Sequence, residues 1–200
     1  MFNRRLIEYL LTSHSPEDFV GFVISQFTPL PYPAFDFTGQ TVIVTGANTG
    51  LGLEATRHIV RLGAAKAIIA CRSIEKGEAA KKDIEESTER KDVVEVWQVD
   101  LDSYESVKEF CARVQKLDRL DAVVENAGIA TPHFQLLEGM ESTITVNVIS
   151  TFLMALLLLP KLRADAVKYN TIPRITIVSS EAHEQVCFTL HRRYILVIKG

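Results

Sequence analysis

Gly46, Gly50 and Gly52 follow directly on the β-branched apolar run Val42-Ile43-Val44, and an amphipathic segment begins at Leu53. A short apolar run that stops at glycine and gives way to helical periodicity reads as a buried parallel strand, a tight turn and a helix start. Glycine suits each position for a physical reason. At 46 it permits a sharp turn, at 50 a close approach of backbone to phosphate, and at 52 the packing of the new helix on the strand. The N–H groups and positive dipole end of that helix then face the turn, as a pyrophosphate requires. Three glycines in a turn also occur without any ligand, so the rest of the chain decides the reading.

Strand-like and helix-like runs alternate along the chain. Strands are expected at 41–45, 66–70, 93–98, 120–124 and 174–179, and helices at 50–62, 74–90, 103–117 and 136–168. Strands separated by helical patterns build βαβ units with right-handed crossovers. The expected fold is therefore α/β, a doubly wound parallel sheet of Rossmann type in the order 3-2-1-4-5. Residues 1–38 read as an N-terminal extension, 39–184 as a dinucleotide-binding domain, and 185–200 as a separate tail.

With 200 residues and 47% hydrophobic content, the chain has ample core for one domain. Its net charge of −3 gives no case for a nucleic acid partner. Cys71, Cys111 and Cys187 form no Cys-x-x-Cys pair and read as buried thiols of a reducing, cytoplasmic compartment. The five histidines lack metal-ligand spacing, and no metal is expected. Residues 19–35 are uncharged, aromatic-rich and broken by Pro29, Pro31 and Pro33. They read first as a helix entering an extended segment, and second as a membrane-surface anchor. The uncharged stretch 142–160 reads first as a helix packed on the sheet or in a subunit interface, and second as a membrane span.

In a doubly wound sheet the ligand crevice lies at the carboxyl ends of the strands. Arg72 ends the second strand, where an acidic residue would otherwise hydrogen-bond the ribose of NAD. A guanidinium there suits a 2′-phosphate, with Lys76 as a second cation, so NADP is expected over NAD. The bland alternative is a pair of solvated surface cations. At the third strand end, Asp100-Leu101 offers an acceptor to the adenine amino group or a cap to the next helix. At the fourth, Asn126-Ala127-Gly128 allows close passage of the cofactor ribose, or is a plain turn.

Together, Thr45-Gly46-Ala47-Asn48-Thr49-Gly50-Leu51-Gly52, Asp100-Leu101, Asn126-Ala127-Gly128, Asn147 and Val178-Ser179-Ser180 resemble the motifs of the short-chain dehydrogenase/reductase family, in order and over roughly residues 38–184. Ala70-Cys71-Arg72-Ser73-Ile74-Glu75-Lys76-Gly77 is similar to NADP-preferring, retinol-dehydrogenase-like members. The N-terminal extension is similar to fungal members associated with secondary metabolism. Glu125 departs from the pattern, since many members carry asparagine there.

The resemblance implies a serine that polarises a substrate carbonyl, matched by Ser180, and an asparagine that holds a water in a proton relay, matched by Asn147. A core amide satisfied locally is the alternative for Asn147. The family's tyrosine, with a lysine four residues later, should follow Ser180 by about a dozen residues. Here Tyr194 is followed at that spacing by Ile198, and Lys199 lies one residue further. On a helix a step of five turns about 140° away, whereas a step of four returns to the same face. Tyr194 is therefore read as coincidental, and the resemblance as C-terminally truncated. The implied function is NADP-dependent interconversion of a small-molecule carbonyl and alcohol by hydride transfer, with impaired turnover in this chain. The alternative is a non-catalytic NADP-binding or interaction protein. A homo-oligomer is compatible with either.

Overall fold

The computed structural model describes residue 27 and residues 31–180, and the chain divides into two units between Ala34 and Phe35. In the first unit only Phe27, which is helical and exposed, and the irregular, exposed residues 31–34 are described. Most of the expected extension, and the whole tail with Tyr194, Lys199 and Cys187, lies outside the described residues. Residues 35–38 belong to the second unit. The Phe37 amide donates to the Leu62 carbonyl at 3.0 Å, and Thr38 forms an isolated bridge with Ala64.

The second unit alternates β1 (Thr41–Thr45), α1 (Gly50–Arg61), β2 (Lys66–Cys71), α2 (Ile74–Thr88), β3 (Val94–Gln98), α3 (Tyr104–Val114) and β4 (Ala122–Glu125). A hairpin follows, β5 (Leu136–Leu137) and β6 (Met140–Glu141), then α4 (Ser142–Ile144), a π-helical segment at Thr145–Ser150, α5 (Thr151–Tyr169) and β7 (Arg174–Ile177). The main sheet is parallel, with order β3-β2-β1-β4-β7. That is the expected 3-2-1-4-5 arrangement, the hairpin being a separate two-stranded sheet.

Period-two alternation sends each strand's side chains to two cores. Ile43, Ile68, Ala70 and Val123 pack with Val107, Phe110 and Val114 of α3 and Met154, Leu158 and Leu162 of α5. Val42, Val44, Ala67 and Ile69 pack on the opposite face with Ile59 and Val60 of α1 and Ala80 and Ile84 of α2. Burying one such aliphatic side chain stabilises the fold by about 1.5–3 kcal/mol. Both faces are covered, so the strands are continuous apolar runs rather than alternating ones.

The long helix starts later than its hydrophobic pattern predicts. Residues 136–141 form the β5–β6 hairpin because Glu138 and Gly139 both take positive φ, 52° and 81°, as a type I′ turn demands. The Glu141 carboxylate then caps the following helix, accepting from the Thr143 and Ile144 amides at 2.9 and 3.2 Å. The run Ser142–Tyr169 is long and apolar enough to cross a membrane by length and composition alone. Within it, Lys161 and Asp165 are buried and paired at 2.8 Å, and Asp165 also accepts from the Leu120 amide at 2.7 Å. Those polar ties anchor one side of α5 to the segment that leads into β4, while Phe152 and Leu156 remain exposed.

Candidate functional site

The carboxyl ends of the parallel strands carry Gly46, Arg72, Asp100 and Asn126, each just past its strand, and Ser180 follows three residues after β7. The first and fourth of these ends are bound into one unit. The buried Thr45 hydroxyl accepts from the backbone amides of Asn126 at 3.0 Å and Ala127 at 2.9 Å. The Asn126 side chain donates back to the Thr45 carbonyl at 3.0 Å. Five polar groups in a crowded crevice are thereby satisfied, and the two turns hold each other in place.

The glycines are required by that crowding. Gly46 has φ +66°, and a Cβ there would stand 2.9 Å from the Ala127 Cα. A Cβ on Gly52 would stand 2.5 Å from the Asn126 amide nitrogen and 2.8 Å from the Gly46 carbonyl. Gly50 differs, because a Cβ on it would meet nothing within 4 Å, although its φ is +60°. Its strain is conformational, and its open side is where a ligand's phosphates have room to approach. Ala47 is buried behind the turn, Asn48 is half-buried, and Leu51 projects into solvent.

Helix α1 begins without a side-chain cap at Thr49 and without an acidic residue in its first turn. By contrast, α2 is capped by Ser73 and carries Glu75 in its first turn, and α3 is capped by Ser103 and carries Glu105. The α1 terminus thus leaves its first-turn N–H groups to a ligand or to water. Turn, open glycine and uncapped helix together fit a pyrophosphate, and the Gly46–Gly52 cradle leaves no room for a side chain in its place.

The other strand ends are partly as expected. Arg72 is exposed, and its Nη1 donates to the Asp102 carboxylate at 3.1 Å. Lys76 is exposed in the first turn of α2, where its amide donates to the Ser73 hydroxyl at 3.3 Å. Asp100 does not cap α3, since Ser103 does. Instead its carboxylate accepts from the Asp102 amide at 3.1 Å, closing the turn after β3. Leu101 is buried, and its carbonyl accepts from the Ser150 hydroxyl at 2.6 Å.

Asn147 lies in the π-helical segment rather than in the regular helix. Its Oδ1 accepts from the Ile129 amide at 2.8 Å and its Nδ2 donates to the Ile129 carbonyl at 2.8 Å. A Cβ on Gly128 would come within 3.2 Å of the same Oδ1, so glycine lets the chain run past the amide. Asn147 therefore braces the loop after Asn126-Ala127-Gly128. Ser180 is exposed beyond the edge strand β7.

Two features escaped the sequence reading. Asp102 is the partner of Arg72, and the signal lay in topology: β2 and β3 are neighbours, so residues just past their ends must meet. Glu125 stood out only as a departure. It is 3% exposed, and neither carboxylate oxygen has a hydrogen-bond partner among the described residues. Burial alone pushes its pKa up to about 8. The neighbouring Cys111 thiol is pushed up to about 12, by burial first and by Glu125 second.

The family model for short chain dehydrogenases matches residues 40–189. The short chain dehydrogenase atnD of Emericella nidulans is 53% identical over 169 residues, covering 84% of this chain and 54% of that protein. The short chain dehydrogenase/reductase dmxR8 of a Cryptosporiopsis species is 50% identical over 172 residues, covering 84% and 53%. Among solved structures, a short chain dehydrogenase from Escherichia coli CFT073 complexed with NADPH is 29% identical, with a TM-score of 0.52 over 64% of this chain and 55% of that one. The chain spans about half the length of the curated relatives it matches.

Proposed function

The chain belongs to the short chain dehydrogenase family, and from that premise we propose that it serves an NADP-dependent oxidoreductase interconverting a carbonyl and a hydroxyl on a small-molecule substrate. The observation that carries this reading is the joined pair of turns at Thr45-Gly46 and Asn126-Ala127, whose glycine cradle fits a dinucleotide. A similar structure that holds NADPH supports the choice of cofactor. So does a guanidinium at Arg72, where NAD would favour an acidic residue.

Thr45, Gly46, Asn48, Gly50, Leu51 and Gly52 would hold the pyrophosphate end of the cofactor. Arg72 and Lys76 would face the 2′-phosphate, Asp100 and Leu101 would flank the adenine, and Asn126, Ala127 and Gly128 would line the ribose. When bound, the nicotinamide supplies or accepts the hydride. The chain's own work is orientation and proton handling. Ser180 would donate a hydrogen bond to the substrate oxygen, which polarises the carbonyl. Asn147, by fixing Ile129 through both halves of its amide, would hold the relay side of the crevice in shape. No proton donor is assigned among the described residues. A role in fungal secondary metabolism and a cytoplasmic location remain part of this reading, the former motivated by the fungal relatives.

Titration of the 200-residue chain with NADPH, followed by nicotinamide fluorescence, tests the cofactor, and NADPH oxidation with carbonyl substrates tests the reaction. Saturable binding with oxidation supports the full reading. Thermal stabilisation by NADPH without oxidation would support a non-catalytic binder instead, and no binding contradicts both.

A further inference from the structure

Arg72 is held from two sides by the neighbouring strand and the turn after it. Its Nη1 donates to Asp102 Oδ2 at 3.1 Å, and the Gln98 side-chain amide donates to the Arg72 carbonyl at 3.3 Å. The Asp102 side chain is one-third exposed and the Arg72 side chain 71% exposed. This is a surface ion pair, too weak by itself to matter greatly to the fold. Its place gives it another consequence. The pair occupies one arm of the guanidinium fork and leaves a carboxylate within hydrogen-bond reach of the cation that would bind a phosphate dianion.

We infer that Asp102 is a specificity-determining residue that tempers the preference for NADP by standing as a fixed negative charge beside the 2′-phosphate site. The inference rests on the reading of Arg72 as the 2′-phosphate ligand. Two effects share one sign. Asp102 competes with the phosphate for the guanidinium N–H groups, and its charge repels the dianion a few ångströms away. NADH carries a hydroxyl at that position and feels neither effect strongly. Asp102 therefore narrows the gap between the two cofactors while leaving the turn after β3 intact. That turn is closed by the Asp102 backbone amide on Asp100 Oδ1, a bond that asparagine at 102 retains.

The test is calorimetric titration of the full chain, wild type, Asp102→Asn and Arg72→Ala, with NADPH and NADH at 10 mM and 500 mM salt. Asp102→Asn is expected to tighten NADPH about three- to ten-fold at low salt, to leave NADH within two-fold, and to lose most of that gain at high salt, where screening shortens to a few ångströms. A merely structural role for Asp102 would shift both cofactors together and ignore salt. Arg72→Ala is expected to weaken NADPH and spare NADH. If Arg72→Ala lowers NADPH affinity but Asp102→Asn leaves it unchanged or weaker, the inference about Asp102 is overturned and the Arg72 reading stands. If Arg72→Ala has no effect, or if neither cofactor binds the wild type, the Arg72 reading falls and the inference with it. Thermal melts of each variant without cofactor identify any loss of affinity that comes from unfolding.

Discussion

The hydroxyl of Thr45 accepts the backbone amide of Ala127 at 2.9 Å, so a side chain at the end of one strand fixes the turn that ends its neighbour. The same oxygen serves Asn126, and the Asn126 amide returns the bond to the Thr45 carbonyl. Because β1 and β4 are paired in register from Val42↔Ala122 to Val44↔Val124, this clasp closes the crevice at the point where the strand order reverses.

Thr45→Val keeps the shape of the side chain and removes the acceptor, leaving two amides in the crevice without a partner. Each unmet bond of this kind costs about 1–3 kcal/mol. Urea unfolding is expected to show a loss of that order, and NADPH affinity is expected to fall because the Asn126-Ala127 turn is no longer held.

Gly52→Ala and Gly50→Ala separate crowding from strain. At 52 the new methyl collides with Asn126 and the Gly46 carbonyl, so the turn must open and cofactor binding is expected to be lost. At 50 the methyl meets open space, and the cost to the fold is the left-handed backbone of a non-glycine residue, about 1–2 kcal/mol. Parallel melting curves and NADPH titrations of the two variants check this. Binding is expected to weaken in both, since the Gly50 methyl stands on the side open to the phosphates, whereas equal loss of stability in both would contradict the assignment of separate causes.

Glu125 makes stability depend on pH. Its ordinary pKa is 4.5, and burial raises it to about 8 in the folded chain. The unfolded chain therefore releases the proton at lower pH than the fold does, and binds fewer protons between those values. Stability is expected to fall as pH rises from about 4.5 to about 8, by up to about 1.4 kcal/mol per pH unit, and to level off above. Glu125→Gln, which cannot ionise, is expected to flatten that slope and to be the more stable protein at pH 8. Denaturant midpoints measured across pH 5–9 for both proteins check the prediction. Parallel curves would show that the carboxyl is not desolvated as described.

Much of this was legible because the sheet is buried on both faces. β1 and β2 are β-branched or small apolar runs with no polar alternation to confuse them with surface strands. The glycine turn was legible for the same reason that it is needed, since only glycine tolerates the contact of Gly46 with Ala127. The hairpin at 136–141 was not, because Leu136, Leu137 and Met140 fit a helical period and the turn places Glu138, a residue with no local preference for positive φ, beside Gly139. Asn147 was visible as a residue, but its π-helical setting and its grip on Ile129 depend on the loop 18 positions earlier in the chain. Asp102 and Glu125 required tertiary information. The first acquires its partner 30 residues away, and the second its burial, only when β4 is flanked by its helices.

In the proposed function, the turns at 46–52 and 126–128 form a site for a 2′-phosphorylated dinucleotide. The most direct measurement is the affinity of the 200-residue chain for NADPH against NADH, alongside Gly52→Ala. Saturable binding of both is expected, with NADPH the tighter, and loss of both in Gly52→Ala while the variant still melts cooperatively. Binding that survives Gly52→Ala, or no binding to a cooperatively folded wild type, would contradict it.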